Sequence, residues 1–305
     1  MTSRHLIAFS FLLVSLAVAG ANAADTFTVQ DHDGQHADII TPEGKVILRY
    51  MYARDKTDDS TTFDTAKVFA HVMTDDGVAT LTKGAGGKFP HHRGIFIGWN
   101  KLNQGGKNHD LWHVRNTVQK HREFDEIESG KNGARITSHI DWVGVDGEVV
   151  LEETRTYKVT SHDGIHAMID FSSTLKATRG DVELNGDPEH AGVQFRPSQQ
   201  VAENQSATYL FHQDGIDPKV DRDMPWVTES FQLGDQWWSV QHMNHPSNPK
   251  GARWSAYRDY GRFGPFTVVK INNNEATTFR YRFCVTKGKQ EDREASQSQF
   301  DHYAN

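Results

Sequence analysis

Thr277-Thr278-Phe279-Arg280-Tyr281-Arg282-Phe283 places an aromatic side chain at every second position from Phe279 onward and a polar one between them. That period of two is the pattern of a β-strand with one face in a core and the other in water. Residues 152–159 alternate in the same way, and residues 46–52, 135–143 and 154–159 are rich in β-branched and aromatic side chains. Further runs of this type follow at 165–175, 208–211, 237–243 and 266–271. Asp33-Gly34, Asp76-Gly77, Asp146-Gly147 and Asp163-Gly164 fall between runs, where glycine accepts the positive φ that tight hairpins need. No window of helical length carries a sustained apolar stripe at period 3.6. The chain is therefore expected to be all-β, a single large antiparallel β-sandwich over residues 24–286.

The two ends differ from this body. Arg4 and His5 precede an apolar or small run over residues 6–20, and Ala21-Asn22-Ala23 has the small-x-small form of a signal-peptidase site. Residues 1–23 are thus expected to be an export signal, giving a periplasmic or extracellular protein with no membrane span after cleavage. Residues 287–305 are polar and charged, and a loosely held tail is expected there. Cys284 is the single cysteine, so no internal disulfide is available and stability must come from the core. A net charge of −7 with no Lys/Arg stripe excludes a nucleic-acid groove.

Polar chemistry is concentrated in three stretches. The first is Phe89-Pro90-His91-His92-Arg93-Gly94, which runs into Trp99 and is followed by Asp110-Leu111-Trp112-His113. The second is Asp187-Pro188-Glu189-His190-Ala191-Gly192-Val193-Gln194-Phe195-Arg196-Pro197, and the third is Gln241-His242-Met243-Asn244-His245-Pro246-Ser247-Asn248-Pro249, followed by Tyr257-Arg258-Asp259-Tyr260-Gly261. Gly-rich segments at 84–87 and 105–106 flank the first stretch like loops on a rigid scaffold. In an extended run His91 and His92 would face opposite ways; His92 is read as inward, with Gly94 permitting close approach beyond it. His190, Gln194 and Arg196 share parity, so they can line a cavity while Val193 and Phe195 enter the core. No H-E-x-x-H, P-loop, G-x-S-x-G elbow or dinucleotide fingerprint occurs. The histidine spacings are diagnostic of no particular metal; a His-bound divalent ion stays open, and the chemistry requires no cofactor.

These same motifs resemble the PmoA-like family of exported bacterial proteins, sometimes labelled "methane oxygenase PmoA" and otherwise a domain of unknown function. The resemblance runs from about Thr41 to Thr286, with His91-His92-Arg93-Gly94 and residues 245–249 its most specific parts. It implies a supersandwich of the galactose-mutarotase kind. It supplies no catalytic residues, so roles are assigned from chemistry.

Histidine, tyrosine and arginine together provide a base, an acid and an anion clamp, as proton abstraction from a carbohydrate needs. A lyase, dehydratase or epimerase acting on an oligosaccharide or smaller sugar is the leading expectation. His190 or His92 is expected as base, His113 or Tyr260 as acid, and Arg93, Arg196 or Arg258 as clamp. Trp99 and Trp112 would stack on a sugar ring, with Gln194 and His245 among the binding groups. A non-catalytic sugar-binding module and a metal-dependent oxygenase are the alternatives.

Overall fold

The computed structural model describes residues 25–305; the expected export signal lies outside the described residues. Two antiparallel sheets form the body. In the first, six strands run in the order Thr28–His32, His36–Ile40, Val46–Met51, Phe69–Val72, Ile95–Trp99 and Ala191–Phe195. In the second, eight strands run Thr208–Phe211, Trp226–Leu233, Gln236–Asn244, Ala276–Lys287, Ile165–Ala177, Val149–His162, Gly133–Val143 and Val118–Gly130. The fold is the expected all-β antiparallel sandwich. Among the described residues no helix is long and apolar enough to cross a membrane.

The core lies where the two sheets face each other. Ile39, Leu48, Tyr50, Ile95, Ile97 and Phe195 come from one side; Ile136, Tyr157, Phe171, Phe279, Tyr281 and Phe283 come from the other. Phe279, Tyr281 and Phe283 are the alternating aromatics of the opening stretch, and all three are buried as the period of two requires. Polar groups also cross the interface: the Tyr157 hydroxyl donates to the Ile95 carbonyl at 3.2 Å, and Arg155 donates to the Val68 carbonyl at 2.8 Å. Glu153 holds Arg155 from within the same strand and accepts from Trp142 Nε1 at 2.6 Å and Ser173 Oγ at 2.6 Å, so this buried pair is fully bonded.

The polar C-terminal segment is better held than its composition suggests. Residues Arg293–Ala304 form a helix, capped where the Asp292 side chain accepts from the Ala295 amide. Phe300 and Tyr303 pack on Met168, Trp226, Met243 and Cys284, the outer face of the eight-stranded sheet. Trp226 Nε1 donates to Gln297 and Gln241 donates to the Ser296 carbonyl, so polar contacts substitute for the missing apolar stripe.

The six-stranded sheet positions the candidate site. Along Ile95–Trp99, the odd residues Ile95, Ile97 and Trp99 enter the core, while Phe96 turns outward to join Phe69 and Trp112 in a separate small cluster. Gln194 is the register partner of Phe96 and shares its outward face. The loops carrying the histidines gather on that face.

Candidate active site

Residues 89–92 close a turn, with the His92 amide donating to the Phe89 carbonyl at 3.0 Å. The extended reading of His91 and His92 is therefore corrected: in a turn both imidazoles reach the same cluster, with ring centroids 4.3 Å apart. Three successive carbonyls of the turn are each bonded by a cationic side chain. Arg93 Nε donates to the Pro90 oxygen at 3.2 Å, Lys67 to His91 at 2.9 Å and Lys83 to His92 at 3.4 Å. Lys67 also donates to the Trp112 carbonyl at 2.6 Å, which ties two histidine-bearing loops together. Burial, then the nearby Arg93, pushes the Lys67 amine well below its ordinary range; burial, Arg196 and Arg93 bring Lys83 to about 8. Gly94 follows at φ 43°, and a Cβ there would lie 2.0 Å from the Ala70 carbonyl, so the close approach expected of this glycine is real.

His113 and His190 are built alike, each as the last residue of an Asp-x-x-His turn. Asp110 Oδ1 accepts the amides of Trp112 and His113 at 3.1 and 2.9 Å, and its Oδ2 accepts His113 Nδ1 at 2.8 Å. Asp187 Oδ1 accepts the Glu189 amide and His190 Nδ1, both at 2.9 Å. An imidazole that donates through Nδ1 to a carboxylate presents Nε2 as its acceptor. Against the upward push of burial, the bonds from His113 hold the Asp110 carboxyl low, and His190 does the same for Asp187.

The two Asp-supported rings face each other with centroids 5.2 Å apart, and His91 lies 4.5 Å from His113. His92 sits deeper, with its ring 5.7 Å from Trp112 and 6.3 Å from Tyr260. Burial first, with His and Arg or Lys neighbours after it, holds both inner imidazoles neutral: His91 is lowered to about 2 and His92 well below its usual value. Two bulky residues flanking the cluster adopt left-handed backbone, Phe89 at φ 56° and Val114 at φ 52°. Such conformations cost energy for residues with a Cβ, more so when it is branched, and they persist where surrounding contacts fix the chain.

Beneath the rings lies a buried polar layer. Arg262 donates from Nη1 to Gln194 Oε1 at 3.0 Å and to Ser255 Oγ at 2.9 Å, with its guanidinium 5.9 Å from the Trp112 ring. Arg196 donates from Nη1 to the carbonyls of Pro197 and Tyr260 and lies 5.2 Å from the Tyr260 ring. Nε and Nη2 of both arginines, and both carboxylate oxygens of Glu229, have no hydrogen-bond partner among the described residues. Burial pushes the Glu229 carboxyl up, against the pull of the two arginines. Gly261, at φ 80°, leaves room there: a Cβ would come within 2.2 Å of Glu229 Oε1. At the rim, Glu189 accepts from Arg258 and from the Tyr257 hydroxyl. A 540 Å³ cleft adjoins the loop after His113, lined in part by Arg54, Phe63, Val114, Arg115 and Asn116.

The structure thus brings together His92, His113, His190, Tyr260, Trp112, Gln194, Arg196 and Arg258. Three expected residues behave otherwise. Trp99 is fully buried between Trp142 and Phe279, because it shares the inward parity of Ile95 and Ile97. His245 leaves the eight-stranded sheet on the side of the C-terminal helix, where its ring meets Tyr303 at 5.1 Å. Arg93 is no clamp, since Nη1 and Nη2 donate to the Asp64 and Phe63 carbonyls at the end of helix Asp59–Asp64. Trp112 is present but fully buried, a floor instead of a stacking platform. The sequence reading placed Asp110 and Asp187 within its stretches but gave them no role, and it gave none to Lys67, Glu229 or Arg262; the repeated Asp-x-x-His spacing was the signal available for the first two.

Comparison with known proteins adds a family and distant shapes. The family described as "Family of unknown function (DUF6807)" matches residues 39–300. No curated protein matches. Among solved structures, a heparan sulfate lyase HepC mutant from Pedobacter heparinus is similar at 9% identity over 87% of this chain and 37% of that one, with a TM-score of 0.45. A heparinase III is similar at 8% identity over 87% and 36%, with a TM-score of 0.38. A GalM/aldose epimerase homologue from C. elegans is similar at 6% identity over 86% and 99%, with a TM-score of 0.35. The chain spans little more than a third of the length of the first two of these.

Proposed function

The chain belongs to this family of unknown function, and from that premise we propose that it is a carbohydrate-active enzyme working by histidine acid–base chemistry, of the lyase, dehydratase or epimerase type. One observation carries the reading: two imidazoles, each oriented by its own aspartate through Nδ1, face one another across 5.2 Å at a half-exposed mouth. Proton abstraction with loss of a leaving group needs a general base and a general acid close together, and this adjacent pair can supply both.

In this reading His190 Nε2 removes the proton α to a carboxylate or carbonyl of the sugar. In the lyase or dehydratase case the β C–O bond breaks as the C=C bond forms, and His113, entering as imidazolium, protonates the leaving oxygen. In the epimerase case the proton returned to the opposite face of the same carbon comes from a group other than His113, whose ring lies beside His190. Arg258 at the rim is paired with Glu189, and an acidic sugar's carboxylate would take that partner's place to be held there. Tyr260 and neutral His92 complete the wall as hydrogen-bonding groups. Export and the likeness to PmoA-like proteins belong to the same proposal; the N-terminal sequence of protein recovered from the periplasm tests the first.

Incubation with acidic and neutral oligosaccharides, followed by ultraviolet absorbance and mass spectrometry, tests the activity. Unsaturated or epimerised products are expected. With substrate in hand, His190→Ala should lower turnover by about 10²- to 10⁴-fold with affinity largely kept. Affinity without turnover in the wild type would make the protein a sugar-binding module.

A further inference from the structure

On the outer edge of the six-stranded sheet, three strands from the histidine cluster, His32 and His36 close the hairpin between Thr28–His32 and His36–Ile40 as a directly opposed pair. Asp38 lies two residues beyond His36 and so shares its face. We propose that His32, His36 and Asp38 form a binding site for one divalent transition-metal ion of the zinc class.

The donor geometry carries this. His32 Nε2 and His36 Nε2 point at the same oxygen, Asp38 Oδ2, from 3.6 and 3.8 Å. Those separations are too long for hydrogen bonds. They are close to the spacing of about 3.4 Å between ligands that share a tetrahedral zinc at about 2.0–2.1 Å. The two rings are stacked with centroids 4.4 Å apart. Arg49 donates from Nε and Nη2 to the two oxygens of Asp38 at 2.7 and 2.8 Å, which fixes the carboxylate as an outer-shell partner does in metal sites. The Asp38 side chain is 4% exposed, His36 17% and His32 37%, so the group opens to water on one side and leaves a fourth position for solvent or a ligand.

Zinc titration of the full chain with a competing chromophoric chelator tests the site, with cobalt absorption reporting tetrahedral coordination. One ion per chain is expected, weakened at least about tenfold in His32→Ala and His36→Ala and unchanged in His190→Ala. His32→Ala alters only a half-exposed ring at a hairpin end, so its melting temperature without metal should match the wild type, and zinc should raise the melting temperature of the wild type and of His190→Ala but not of His32→Ala. Absence of binding, equal binding in all variants, or loss confined to His190→Ala would overturn the assignment. These outcomes are independent of any result with sugars.

Discussion

Asp110 and Asp187 do for their histidines what a backbone carbonyl does elsewhere, but as charged acceptors they also stabilise the imidazolium that forms when Nε2 takes a proton. Asp187→Asn keeps the shape and removes the charge, and its amide can donate where the carboxylate accepted. Turnover should fall by about 10²- to 10⁴-fold with the melting temperature nearly unchanged, as kinetics alongside calorimetry would show. An unaltered rate would separate Asp187 from the chemistry. The individual histidines were legible because polar rings among glycine and apolar residues are costly unless used. Trp99 was misread because its aromatic character was weighed without its parity; it shares the face of Ile95 and Ile97, which enter the core. Arg93 was misread because a guanidinium answers equally to a substrate anion and to the carbonyls at a helix end, and its actual partners, Phe63 and Asp64, lie about thirty residues away.

At the scale of single elements, the C-terminal helix is the clearest departure from expectation. It lacks an apolar stripe, yet Asp292 caps it, Gln297 answers Trp226 and two aromatic rings cover Cys284. Asp292→Ala should cost about 1 kcal/mol and loosen this cover. Cys284 supplies the readout: it is buried, and burial pushes its thiol up to about 12. A thiol reagent should label it slowly in the wild type and measurably faster in the variant; equal rates would mean that the helix does not shield it. The strands themselves were legible wherever one face is dry. At residues 89–92 Pro90 marks a turn, but its extent through both histidines was not legible, because Phe89 takes the left-handed conformation that sequence rules reserve for other residues.

For the whole molecule, the buried imidazoles set the response to acid. Burial lowers His71 to about 4, whereas an exposed histidine titrates near 6.5. Below pH 6.5 the unfolded chain therefore binds the proton that the fold refuses, so stability present above that value is lost as pH falls toward 4, at about 1.4 kcal/mol per unit for such a ring. His92 and His242 shift the same way, through burial. The melting temperature should drop steadily between pH 6.5 and 4, and His71→Gln should flatten part of that fall; a flat profile in the wild type would contradict the buried neutral rings. The overall architecture was legible because alternation fixes strands one at a time, but the order of strands within a sheet was not, since it depends on pairings across the length of the chain. Ala276–Lys287 sits between Gln236–Asn244 and Ile165–Ala177, in the interior of the larger sheet. A nascent polypeptide lacking this late insert holds two half-sheets with raw edges, sticky toward each other and toward neighbours. The larger sheet therefore closes only after that strand has been made, and edges exposed before then are open to mispairing.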